Sequence, residues 1–209
     1  MRKILGLGLV FLISIGSLAF AGGDGEEAAE GEPEYRIGIV FDVGGRGDNS
    51  FNDSAYDGLV LLAEEYGGYI ADGTGEVDFG RNVELRYLEP QQGGADRENL
   101  LRLLAEDGFD LVIGVGFLFD QPIATVSAEF PNVHFGIVDG FLPDLTADSN
   151  VSTMGFTEHE GSFLVGAIAG LMVQDYPGDS IGYMSGFDIP LLDRFEAGYM
   201  SGAMYTNPD

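Results

Sequence analysis

The sequence contains no cysteine, and its only lysine is Lys3. Without cysteine there is no disulfide, no thiol nucleophile, no thiolate metal site and no N-terminal cysteine to carry a lipid. Without a lysine beyond residue 3 a phosphate-binding P-loop cannot be built. Positive charge as a whole is scarce: 9 Lys and Arg stand against 35 Asp and Glu, for a formal net charge of −26. Such a chain repels phosphate backbones, which excludes nucleic acid as a partner. The excess acid reads either as a solvated surface that resists aggregation or as adaptation to a salty medium, where screening removes the self-repulsion. Long apolar runs are also missing. Beyond the N-terminus the longest is residues 163–173, 11 residues, against the roughly 20 that a membrane-spanning helix needs.

Several chemistries fail on residue counts. There are two histidines: His134 reads as a strand residue of the core, and His159 as a surface residue at a helix start. Neither is set beside a nucleophile, and no G-x-S-x-G elbow is present. Two histidines without cysteine make no transition-metal site. The glycines at 45 and 47 are followed by Ser50, and those at 114 and 116 by Phe119, so neither run completes G-x-G-x-x-G. Oxygen ligands for calcium exist in DGTGEVD (72–78) and around Asp48, Asn49 and Asp53, without the spacing of an EF-hand. No cofactor and no metal are expected.

What is present starts with an export signal. Arg2 and Lys3 precede the apolar residues 4–20, and Ala19-Phe20-Ala21 offers a small-residue cleavage site. Residues 1–21 therefore read as a removable signal peptide. Residues 22–34, GGDGEEAAEGEPE, are acidic and lack branched apolar residues, as a flexible tether does. The expected product is secreted, periplasmic or extracellular, without a lipid anchor.

From residue 35 strand and helix patterns alternate: YRIGIVFD, SFNDSAYDGLVLLAEEY, a Gly-rich loop (67–82), VELRYLE, ADRENLLRLLAEDG, DLVIGVG, QPIATVSAEF and NVHFGIVD. Ser50 with Asp53 suggests a capping box for the first helix. Alternation of this kind predicts an α/β fold with a doubly wound parallel sheet over residues 35–150. Residues 151–209 add VSTMGF and SIGYMSG as strands and two helices. The first of these, EGSFLVGAIAGLMVQ, carries Gly166 and Gly170, a spacing read as close packing on a sheet. Two strands are too few for a closed second sheet, so this lobe is expected to be only partly present, the chain being a fragment or a truncated product, or needing a partner to cover that sheet.

Ligands of open α/β sheets bind beyond the carboxyl ends of the strands. The loops there are DVGGRGDNSFN, EPQQGG, GFLFDQ, DGFLPD and SGFDIP. They repeat aromatic and acidic or amide residues: Asp42, Phe51, Asn52, Phe117, Asp120, Asp139, Phe141 and Asp188. A ring can stack a flat ligand and a carboxylate accepts from hydroxyl or ring N–H groups. Each also has an ordinary structural reading; Phe51 could simply pack beneath its loop.

Together FDVGGRGDNSFNDSAYDGL, DLVIGVGFLFDQPI, FGIVDG, EHEGSFLVGAIAGLM and GFDIPLLDRFEAGYMSGA resemble the basic membrane protein family, purine-nucleoside-type substrate-binding proteins of ABC transporters. The resemblance implies a type I periplasmic-binding-protein fold, with two lobes closing on a ligand that is passed to a permease. It implies that Phe51 stacks on the nucleobase, that Asn52 hydrogen-bonds near it and that Asp139 reads the base edge. Asp42, Ser50 and Phe117 lie in matching motifs near the site. A sugar or other small polar ligand would suit the same fold, and a nucleoside-cleaving enzyme would need an activated nucleophile that the strand ends do not supply.

Overall fold

The computed structural model describes residues 31–173 and 180–208. The signal peptide and residues 22–30 of the tether lie outside the described residues. The elements, in chain order, are β1 (Tyr35–Val40), α1 (Phe51–Tyr66), β2 (Gly68–Ile70), β3 (Val83–Leu88), α2 (Arg97–Glu106), β4 (Leu111–Val115), α3 (Asp120–Glu129), β5 (His134–Val138), β6 (Val151–Met154), α4 (Glu158–Met172) and α5 (Pro190–Thr206). The strands form one sheet in the order β2-β3-β1-β4-β5-β6, and every neighbouring pair is parallel. The chain grows from β1 toward one edge, then crosses back to add β4, β5 and β6 on the other side. The order therefore reverses at β1, and the carboxyl ends of β1 and β4 flank the resulting crevice.

Alternation along the strands builds two cores. Ile39 and Phe41 face α1, where Leu59 and Ala63 are buried with Ile70, Val83, Leu85 and Val115. Val40 points the other way, into Leu101 and Leu104 of α2, Ile123 and Val126 of α3, and Phe109, Val112, Phe119, Phe135 and Ile137. With helices on both faces the central strands can be almost wholly apolar, as their sequences are. Helix α1 ends at Gly67, whose left-handed φ of 69° lets its N–H reach the Ala63 carbonyl.

Four expectations from sequence change. The Gly-rich loop contains a strand, β2, which pairs with β3 at the sheet edge. Its three residues are too few to show a period. Val151–Met154, assigned to a second lobe, pairs with β5 and closes the other edge of the first sheet. SIGYMSG is not a strand: residues 180–185 have no regular structure and no described strand lies beside them to complete a ladder. His134, expected in the core, is the exposed first residue of β5.

A further change concerns the glycines of α4. Gly166 and Gly170 pack on α5, not on a sheet. A Cβ on Gly166 would strike the Tyr199 carbonyl, and one on Gly170 would lie 2.6 Å from the Ala203 carbonyl oxygen. From the other side, Gly198 abuts the backbone of His159 and Gly202 that of Phe163 and Ala167. The two helices thus meet backbone to backbone, with Ser162 Oγ donating to the Phe195 carbonyl and Thr206 Oγ1 to the Ala167 carbonyl at 2.6 and 2.9 Å. The matching signal, Gly198 and Gly202 four apart, stood in the sequence beside the first.

Each of Arg36, Arg46, Arg81, Arg86, Arg97, Arg102 and Arg194 is ion-paired with a carboxylate. Among the described residues no helix is long and apolar enough to cross a membrane.

Candidate functional site

The loop after β1 is held from within. Asn52, only 2% exposed, accepts from the Asp42 backbone N–H at 2.9 Å. Its amide donates to the carbonyls of Asp42 and Gly45 at 3.3 and 3.1 Å. Its side chain therefore faces the loop backbone, where the resemblance implied a ligand contact. Ser50 is exposed and makes no side-chain cap, contrary to the expected capping box. Asp48 caps α1 in its place, with one oxygen accepting from the N–H groups of Ser50 and Asp53 and the other from Asn52. Asp53 reaches back to Gly47 and Asn49 N–H at 2.8 Å each, and these bonds hold its pKa below the ordinary carboxylate value.

Asp42 is committed as well. Its carboxylate pairs with Arg97 at 2.5 Å and lies against Gly116, at the end of β4. Arg97 in turn donates to the Gly94 carbonyl at 3.0 Å. The pair ties the ends of β1 and β4 to the start of α2. Arg97 was not singled out from sequence, because a lone arginine at a helix start carries no pattern.

The aromatic residues stand farther out. Phe51 is exposed and meets Phe156 edge to face, centroids 5.9 Å apart. Phe117 meets Phe187 in the same way at 5.8 Å. Beside this second pair opens a cavity of about 650 Å³, lined by Phe117, Asp120, Asp139 and Phe141 from the sheet lobe and by Glu158, Phe187 and Arg194 from the α4–α5 part. Volume and lining fall within the usual range for a small-molecule site.

Three acids edge this cavity. Asp120 accepts from the Phe141 N–H at 3.0 Å, and burial raises its pKa above the ordinary value. Asp139 takes the left-handed conformation, φ 58°, with its N–H on the Met154 carbonyl at 2.7 Å. Burial, and then the neighbouring charge of Glu158, raises its pKa too. Glu158 is the third, 7% exposed, with neither oxygen hydrogen-bonded and Arg194 Nε 3.5 Å away. Among the described residues no group of three or more acids or histidines is placed to hold a metal ion.

Of the residues singled out from sequence, Phe117, Asp120, Asp139 and Phe141 converge on the cavity. Asp42 and Asn52 brace the loop beside it. From the loop SGFDIP it is Phe187, not Asp188, that lines the wall. Glu158 was missed because it follows β6. Had VSTM been placed in the first sheet, the rule that found Asp139 would have led to Glu158.

A profile described as ABC transporter substrate-binding protein, PnrA-like, matches residues 36–209. The chain belongs to the Bmp family. Relatives of this family include an uncharacterized lipoprotein of Pyrococcus abyssi, 35% identical over 98% of this chain and 47% of its own length. The nucleoside-binding protein BmpA of an ABC transporter in Lactococcus lactis is 25% identical over the whole of this chain and 55% of its own length. A solved solute-binding protein of an ABC transporter system from Aeropyrum pernix superposes with a TM-score of 0.66 at 32% identity, over 83% of this chain and 44% of that one. The chain thus spans about half the length of the Bmp relatives it matches. The Pyrococcus relative is named a lipoprotein, in tension with the expectation of a form without a lipid anchor.

Proposed function

We propose that this protein acts outside the cytoplasm as the substrate-binding component of an ABC transporter, with a purine-type nucleoside as ligand and the transporter permease as partner. The observation that carries the reading is the cavity of about 650 Å³ beyond the strand ends, with Phe117, Phe141 and Phe187 beside the carboxylates of Asp139 and Glu158. Aromatic faces suit a flat base and carboxylates suit its N–H groups or ribose hydroxyls. Family membership and the name of the Lactococcus relative support the same ligand.

In this reading Phe51 and Phe117 stack on the ligand, Asp139 takes its polar edge, and Ser50 lies on the loop that approaches it. Asp42 and Asn52 keep that loop in place. The first lobe ends after Met154, and α4 and α5 are helices of the second. The proposed role is binding without catalysis.

Titration of the 209-residue chain with inosine, followed by ligand-observed NMR and by chromatography of the mixture, tests this. Binding of intact inosine is expected, and Phe51→Ala should weaken it by about 1–3 kcal/mol, the scale of one base–aromatic stack. Release of hypoxanthine would replace the binding role with an enzymatic one, and binding of ribose in place of inosine would favour a sugar ligand.

A further inference from the structure

Among the described residues two glutamates are deeply buried, and they are treated very differently. Glu84, on β3, is 7% exposed and accepts hydrogen bonds from Arg36 Nε at 2.9 Å, Arg36 Nη2 at 3.3 Å and Arg86 Nη2 at 2.9 Å. Its charge is compensated by the protein, as a buried carboxylate requires. Glu158 is equally buried, its side chain 3% exposed, yet both oxygens lack a hydrogen-bond donor. Its ion-pair partner, Arg194, lies 3.5 Å away through Nε and is half exposed. A position in the first turn of α4 places the charge at the favourable end of the helix dipole, but leaves its lone pairs open. Glu158 is one of the residues that line the cavity.

The rest of that wall sharpens what is lacking. Asp139 and Asp120 are further acceptors, and Arg194 is the sole cation among the lining residues. A wall of acceptors is completed by donors. A carboxylate takes two parallel N–H bonds most strongly from groups fixed side by side in a plane.

We infer that Glu158 is a ligand-contacting residue of this site, and that it selects a purine whose edge carries adjacent ring N–H and exocyclic NH2 donors, as guanosine does, over one lacking that pair, as adenosine does. The inference rests on the nucleoside reading above. On an adenine edge the ring nitrogen beside the amino group is itself an acceptor, and it would face a carboxylate lone pair. The guanine edge presents two donors there and a carbonyl farther along, which Arg194 can meet.

The test compares guanosine and adenosine on the 209-residue chain, on Glu158→Gln and on Arg194→Gln, by titration and by thermal melting without ligand. The wild type should bind guanosine about tenfold more tightly than adenosine, the worth of one charge-assisted hydrogen bond. Glu158→Gln should weaken guanosine about tenfold and leave adenosine unchanged or improved, because the Gln amide can donate to the ring nitrogen. Without ligand its melting temperature should hold or rise, since a buried carboxylate without a hydrogen-bond donor has been removed. Unchanged guanosine affinity in Glu158→Gln, with the wild type binding guanosine, overturns the role of Glu158 and leaves the nucleoside reading standing. An equal loss for both nucleosides assigns Glu158 to the ribose and overturns base selection. A lower melting temperature in both Glu158→Gln and Arg194→Gln, with no change in binding, makes the pair a structural tie. A wild type that binds neither nucleoside removes the nucleoside reading, and this inference with it.

Discussion

Phe41, Phe109, Phe119 and Phe135 are sealed inside the sheet lobe, whereas Leu164, Val165, Ile168, Leu171, Met172, Met200 and Met204 stand exposed on the α4–α5 pair. The lobe is held by large side chains removed from water on both faces of the sheet. In the helical pair the buried residues are Glu158, Gly166, Gly170, Gly198 and Gly202; it is held by backbones in close contact and leaves its apolar side chains uncovered. Apolar sequence therefore does not guarantee apolar burial. A helix whose small residues face its neighbour spends its contact surface on backbone, and its large residues must look for cover elsewhere.

The contrast can be broken most severely in the lobe. Phe119, fully buried against Gly114 and the α2–α3 side of the sheet, should cost about 3–5 kcal/mol when replaced by Ala. Chemical denaturation followed by circular dichroism measures this, and a loss under about 1 kcal/mol would mean the core collapses to fill the gap. Gly202→Val attacks the pair instead. A side chain there meets the backbone of Phe163 and the Ala167 nitrogen, so the helices must part, at a cost on the order of 3 kcal/mol. Hydrogen exchange should show α4 and α5 losing protection while the sheet amides keep theirs; loss in both regions at once would join them into a single cooperative unit.

Between the two regions lies the seam of acids, where the effect is smaller and depends on pH. The pKa of Asp139 is raised by burial and by Glu158, so the folded state holds its proton to higher pH than the unfolded chain does. That costs stability as pH rises from the unfolded pKa through the folded one, and costs nothing below about pH 4. Asp139→Asn, which keeps a residue tolerant of positive φ, should therefore raise the melting temperature at pH 7, with the gain vanishing toward pH 4. A gain that persisted in acid would point away from charge. The smallest effect is expected on the open face of α4. Leu164→Glu should shift stability by no more than about 0.5 kcal/mol, and a larger loss would reveal that something covers this face in solution.

Much of this was legible beforehand because it is local. DLVIGVG could only be a strand covered on both faces, and the residues just past each strand could be named as candidates without coordinates. Phe117 and Asp139 were found in that way and do line the cavity. Asn52 was legible as a residue of the site loop but not in its task, since its three hydrogen bonds run to backbone groups up to ten positions away.

By itself the sequence determined the parallel α/β architecture, the excess of acid and which loops follow the strands, because periodicity, charge and turn chemistry act within a few residues. Tertiary structure alone decided that Val151–Met154 closes the first sheet, that Gly166 and Gly170 meet Gly198 and Gly202, and that Glu158 is buried without a donor. Those outcomes depend on which distant backbone arrives alongside. A strand does not encode its neighbour, a glycine does not encode what approaches it, and a carboxylate does not encode whether water or protein will surround it.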